Sequence, residues 1–160
     1  MIDPYIQQYG RRLYGLCRHL CANVLDADDL YQETWMKAVK NFARYDPAKP
    51  FEPWLTRICV NTYRSAWRHL RRAPMFEFAD NAEKDAVPAP KRQDYTALYA
   101  AVNRLPEKLR LTVVLFYFRD MDTVSAAAVL NIPPGTVKSR LNKARQRLKE
   151  ELKDEADLFF

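Results

Sequence analysis

The stretch from Asp122 to Leu152, DTVSAAAVLNIPPGTVKSRLNKARQRLKEEL, constrains this chain more than any other. Val137, Leu141, Ala144, Leu148 and Leu152 recur at steps of three and four, which places them on one face of a helix. At about 100° per residue, Ser139, Asn142, Lys143 and Gln146 fall opposite that stripe, and Lys138, Arg140, Arg145 and Arg147 flank them. No carboxylate occurs between Thr123 and Lys149. A helix that is apolar on one side and polar and cationic on the other suits the major groove of DNA.

The residues before this helix spell out a helix-turn-helix. Asp122 is placed to accept hydrogen bonds from the free amides that open a short helix. Ala126, Ala127 and Ala128 keep that helix slim, so a partner can approach closely. Asn131 tolerates the left-handed conformation that a helix exit requires. Pro133 and Pro134 forbid continuation, and Gly135-Thr136 opens the next helix. A plain basic amphipathic helix in a bundle would explain the stripe but not this ordered run of cap, slim helix, turn and basic helix.

With three glycines in 160 residues and long helix-compatible stretches, an all-α fold is expected. The net charge of +6 favours a polyanionic partner without identifying one. The chain is long enough for one domain or two small ones, and two half-size domains would each be marginally stable alone. No apolar run approaches a membrane span, and the start, MIDPYIQQYGRRLYGL, lacks the apolar core of a secretory signal. A cytoplasmic location without membrane insertion is therefore expected. Cys17, Cys21 and Cys59 form no paired framework and are expected to be buried free thiols, with no metal site and no cofactor.

Helical spacing of Ile6, Tyr9, Leu13, Leu16, Cys17 and Leu20 predicts a first helix. A second is expected after Asp26-Ala27-Asp28, running to about Phe42, its carboxylates suiting a helix start. The loop ARYDPAKPFEP carries three prolines, and a third helix is expected from about Trp54 to Arg72. Residues 73–94, rich in proline and acids, are expected to form a flexible linker. Beyond it, Val102, Leu105, Leu109, Val113, Leu115 and Phe116 supply a second core, with Pro106 separating two helices.

Two further surfaces stand out. The third helix carries Arg57, Arg64, Arg68, Arg71 and Arg72, interleaved with or adjacent to Phe51, Trp54, Tyr63 and Trp67. Arginines neutralise phosphates and aromatics stack on unpaired bases, so this mixture suits single-stranded or melted DNA; Trp54 itself is expected in the core. The second helix, DADDLYQETWMKAVKNF, is acidic at its start and repels phosphate. It suits a protein partner, with Trp35 as an anchor.

This order of parts resembles the bacterial RNA polymerase sigma factors of the extracytoplasmic-function (ECF) group. DADDLYQETWMKA is similar to the core-binding part of sigma region 2, and YDPAKPFEPWLTRICVNTYRS to its melting and −10-reading part. LPEKLRLTVVLFYFRDM and NIPPGTVKSRLNKARQRLK are similar to sigma region 4. The resemblance implies region 2 over residues 1–72, a linker over 73–94, and region 4 over 95–160. It implies that Asp29, Leu30, Gln32, Glu33 and Trp35 dock on core RNA polymerase. It implies that the loop from Tyr45 to Phe51 captures a flipped −10 base, with Asn61, Arg64, Ser65 and Arg68 along the strand path. It assigns Lys138, Ser139, Asn142 and Lys143 to the −35 major groove of promoter DNA, and Arg140, Arg145 and Arg147 to its phosphates. The linker would thread toward the polymerase active site, and an anti-sigma protein would restrain the whole. With no further regulatory domain in view, sensing is expected to reside elsewhere. Ser125, Ala126 and Asn131 depart from the family's usual acid, large aliphatic and glycine.

A stand-alone helix-turn-helix regulator is the competing reading, and it leaves the acidic second helix without a task. A nucleic-acid-modifying enzyme would need a phosphate-cradling loop, a metal cluster or a nucleophile–base pair, and none is evident; His19 and His69 are isolated.

Overall fold

The structure is a computed structural model that describes residues 1–67 and 96–153. The expected linker, Arg68, His69 and the continuation of the third helix to Arg72 lie outside the described residues.

Helix α1 spans Asp3–Leu20, with Pro4 in its first turn, where no amide partner is lost. Leu13, Leu16, Cys17 and Leu20 form its buried face. Helix α2 spans Val24–Asn41 and starts earlier than the acidic run implies. Asn23 sets that start: its Oδ1 accepts the Asp26 amide at 2.9 Å. Ala27, Leu30, Thr34 and Ala38 face inward. A short 3₁₀ turn, Phe42–Arg44, leads into the proline loop. Helix α3 spans Phe51–Trp67, so it too begins earlier than expected. Pro53 falls in its first turn, where proline costs no hydrogen bond.

Helix α4 spans Thr96–Asn103 and α5 spans Glu107–Val113, with Pro106 between them as expected. The apolar run continues as a π-turn over Val114–Phe118. Helix α6 spans Thr123–Leu130 and α7 spans Pro134–Glu151. The turn chemistry follows the expectation. Asp122 Oδ1 accepts the Ser125 amide at 2.7 Å, and that bond holds its carboxyl below the ordinary range. Asn131 is left-handed (φ 58°, ψ 49°), and the Ile132 amide returns to the Ala127 carbonyl at 3.0 Å.

One hydrophobic core runs through both groups of helices. Leu13, Leu16, Cys17, Leu55, Cys59, Val60 and Tyr63 of α1 and α3 share it with Leu111, Leu115, Met121, Ala126, Ala127, Leu130, Val137 and Leu141. Helix α6 is the wedge, packed on α3 on one side and α7 on the other. A smaller cluster, including Val102, Leu105, Leu109, Val113, Ala144 and Leu148, lies between α4, α5 and α7. Two small helical domains were expected and both are present; along the seam each also buries part of its surface on the other. Halves this small are marginally stable alone, so the shared burial stabilises both.

Polar ties cross the same seam. The Arg110 guanidinium donates to the Tyr63 hydroxyl and lies over its ring at 5.6 Å. Tyr63 is 1% exposed, so it is a core residue rather than a base-stacking ring, and burial pushes its phenol pKa up. Arg119 Nη2 donates to the Arg12 carbonyl at 2.6 Å. Gly15 makes room for it, since a Cβ there would sit 3.1 Å from Arg119 Nη1. The His19 ring packs on Phe118 at 4.9 Å. Burial, and then the Arg119 charge, push the His19 imidazole down to about 4.

The continuous core predicts a single cooperative unfolding transition in calorimetry, and two separated transitions would mean independent cores. His19 adds a pH dependence. Unfolded, it takes a proton below about pH 6.5; folded, only near 4. Its share of stability is therefore complete above pH 6.5 and lost as pH falls toward 4, about 3 kcal/mol in all. Urea midpoints measured across that window should fall less steeply for His19→Gln.

Candidate nucleic-acid interface

The outer face of α7 follows from its inner one. Val137, Leu141, Ala144 and Leu148 are buried, and Val137 and Ala144 are completely so. Lys138, Ser139, Asn142, Lys143, Gln146 and Arg147 are consequently exposed, while Arg140 and Arg145 are half-buried at the flanks. Arg145 is held in place: its Nε donates to the Tyr117 hydroxyl at 2.6 Å and its guanidinium lies over that ring at 5.6 Å. Arg145 Nη1 donates to Asn142 Oδ1 at 3.1 Å. Sequence reasoning missed Tyr117. The one signal was a single hydroxyl inside the nearly all-apolar LTVVLFYF, a polar handle on an aromatic body.

On α3, Asn61 and Ser65 are exposed and Arg64 is half-buried, so these three lie along an accessible flank. The two rings expected at the −10 base lie inside the free chain. Tyr45 is 8% exposed and Phe51 3%. Phe51 stacks on Tyr5 at 4.2 Å and meets Tyr45 at 5.3 Å, and Tyr45 packs against Trp54 at 5.1 Å. Their faces are occupied by other rings. What they do is hold the Asp46–Pro50 tip outward, where every residue is exposed. The tip is tightened by Asp46, whose Oδ1 accepts the Ala48 amide at 2.9 Å. Trp54 is half-buried in this cluster, in keeping with its expected core role.

The acidic helix divides similarly. Asp29 and Gln32 are exposed, and Glu33 pairs with Lys37 at 3.6 Å. Leu30 is wholly buried and Trp35 nearly so. Neither side chain forms the outer surface: with Thr34 and Ala38 they seat α2 on α1 and α3. The outer stripe instead alternates Leu25, Asp29, Gln32, Met36 and Val39, all within one sector at about 100° per residue. Leu25, Met36 and Val39 are large apolar side chains at 76%, 61% and 53% exposure. The signal in the sequence is a second periodicity opposite the buried one. An exposed apolar stripe of this kind is a surface suited to being covered by a partner.

The cysteines are buried thiols, as expected. Cys17 and Cys59 sulfurs lie 3.8 Å apart, and their mutual hydrogen bond together with burial pushes the Cys17 thiol well above its ordinary range. Among the described residues no helix is long and apolar enough to cross a membrane.

Comparison with known proteins agrees with this layout. Residues 5–73 match the family Sigma-70 region 2, and residues 95–148 match Sigma-70, region 4. The chain is 32% identical over 133 residues to the ECF RNA polymerase sigma factor EcfG of Rhodopseudomonas palustris, covering 81% of this chain and 72% of that relative. It is 30% identical over 157 residues to the ECF sigma factor SigE of Mycolicibacterium smegmatis, covering 94% of this chain and 61% of that longer relative. The sigma factor RpoE of Bartonella quintana, solved in complex with the anti-sigma factor NepR, superposes with a TM-score of 0.75 at 26% identity, covering 96% of this chain and 98% of that one. The chain belongs to the ECF RNA polymerase sigma factors.

Proposed function

We propose that this chain directs promoter-specific initiation by carrying core RNA polymerase to the −10 and −35 elements. The observation that carries this reading is the coexistence of two unlike exposed faces: the cationic surface of α7, free of carboxylates from Pro134 to Lys149, and the acidic-apolar stripe of α2. Asp29, Gln32 and Glu33, with Leu25, Met36 and Val39 between and beside them, dock on the polymerase. Leu30 and Trp35 support that surface from beneath. Lys138, Ser139, Asn142 and Lys143 read −35 base edges, while Arg140, Arg145 and Arg147 hold phosphates. Asn61, Arg64, Ser65 and Arg68 line the melted −10 strand, and a flipped base meets the Asp46–Pro50 tip. The chain contributes binding energy and positioning rather than a catalytic step, and works in the cytoplasm.

Geometry explains why polymerase is needed. The two elements are by name about 25 base pairs apart, or about 85 Å of duplex. Helices α3 and α7 are separated by α6, and two helix-on-helix packings of 8–10 Å each amount to about 20 Å. The compact form therefore cannot span both elements, and α6 must leave α3 when the chain works. Held compact by an anti-sigma protein, as the structural relative is bound by one, the same chain stays inactive. A stand-alone regulator would use α7 on duplex DNA without opening and would leave the α2 stripe idle.

Run-off transcription by purified core enzyme plus this chain on a randomised promoter pool should yield one enriched −10/−35 pair; no initiation at any template would refute the proposal. Changing Asp29 and Glu33 together to Lys should abolish co-purification with core polymerase while leaving α7 binding to −35 duplex intact. Unchanged co-purification would move the docking face elsewhere. Ser139→Ala should cost about 0.5–1.5 kcal/mol at one −35 base pair and little at the others. Equal weakening on all sequences would assign Ser139 to phosphate.

A further inference from the structure

Asn142 stands on the outer face of the helix that, in the reading above, enters the −35 groove. A carboxamide offers one oxygen acceptor and two N–H donors, and which of them faces outward decides what base edge it fits. A freely turning Asn takes both sides at once on adenine, accepting from N6 and donating to N7. Asn142 does not turn freely. Arg145, one helical step of three onward and on the same side, donates from Nη1 to Asn142 Oδ1 at 3.1 Å. Arg145 is anchored in turn by Tyr117, which lies outside α7 on the π-turn. The phenol accepts from Arg145 Nε at 2.6 Å and its ring carries the guanidinium at 5.6 Å. The hydrogen bond and the cation–π contact fix the guanidinium in two ways, and the planar fork then fixes where Nη1 points.

We propose that Tyr117 is a specificity-determining positioning residue. Through Arg145 it holds the Asn142 carboxamide with Oδ1 turned back toward the protein and Nδ2 turned toward the groove. Asn142 then offers donors alone, which suits acceptor edges such as guanine O6 and N7 or thymine O4, and disfavours the two-sided fit to adenine. Arg145 keeps its remaining N–H groups for a phosphate, so one side chain sets register and orients its neighbour. This inference rests on the assignment of α7 to base reading.

The test uses holoenzyme assembled from core polymerase and the full chain, on promoters randomised across the −35 element, scoring relative preference at each base pair. Tyr117→Phe keeps the ring and its cation–π contact and removes the hydroxyl acceptor. It should lower discrimination about three- to tenfold at a single base pair, the same one relaxed by Asn142→Ala, and admit adenine there. Other positions and the salt dependence should be unchanged. The double variant should relax that position no further than Asn142→Ala alone, since both act through one contact. Wild-type preferences in Tyr117→Phe, uniform weakening on all sequences, or a change at a different base pair would overturn the proposal. If Asn142→Ala itself alters no position, the assignment of α7 to base reading fails; if it relaxes one position and Tyr117→Phe does not, the role of Tyr117 alone fails.

Discussion

The wedging of α6 between α3 and α7 is the contact on which the rest of this structure depends. Ala126 and Ala127 are nearly or fully buried, and their small side chains let a helix on each side come close. Val129 and Leu130 then fill what the alanines leave. The same helix is thus the first half of a helix-turn-helix and the bridge that joins the two groups of helices. The α1–α3 group has an apolar interior of its own, and the bridge extends it across to the other helices, adding burial that two small groups would lack apart. It also sets the conflict at the centre of the protein: the packing that stabilises the free chain holds α3 and α7 far closer together than two promoter elements lie.

Opening this seam exposes apolar surface, so something must offset the loss. The α2 stripe is a ready source. Burying a large aliphatic side chain contributes about 1.5–3 kcal/mol, and Leu25, Met36 and Val39 all stand ready to be covered. The free chain keeps apolar surface outside on α2 while hiding it between α3 and α6. A large partner that covers the first would offset part of the cost of releasing the second. Function and compactness are coupled here through exchange of buried area rather than through any shared residue.

Much of this was legible in the sequence. The periodicity marked nearly every helix, and the α6–α7 turn was readable to the residue because caps act locally: Asp122 reaches three residues on, and Asn131 sets its own backbone. Helix starts were less legible. Asn23 outranked the more numerous acids because a cap needs an oxygen at one position, and Pro53 was compatible with a first turn that its presence had argued against. Burial was less legible still. Periodicity states which residues share a face, not which face turns inward. Leu30, Tyr45 and Phe51, which the resemblance gave to partners, and Tyr63, grouped with the arginines, all lie in the interior of the free chain. The seam was illegible for a related reason. Its ties, Tyr63 to Arg110 and Arg12 to Arg119, link residues 47 and 107 positions apart, and no local pattern encodes such distances.

The chemistry of those two ties suits the opening proposed for this seam. Both use an arginine on the α5–α6 side and a neutral oxygen on the other, a phenol in one case and a main-chain carbonyl in the other. A buried ion pair split down the middle leaves two opposite charges to be resolved, and breaking one by removing a partner costs about 3–5 kcal/mol. A guanidinium drawn off a neutral acceptor leaves a group that water satisfies with an ordinary hydrogen bond, while the cation regains its hydration. Burial already lowers the Arg119 pKa, a sign that its charge is held at some cost in the closed form and relieved by exposure. Apolar packing is non-directional and would tolerate several alignments of α6 on α3. The two arginines select one alignment, and because their acceptors are neutral they do so without locking it.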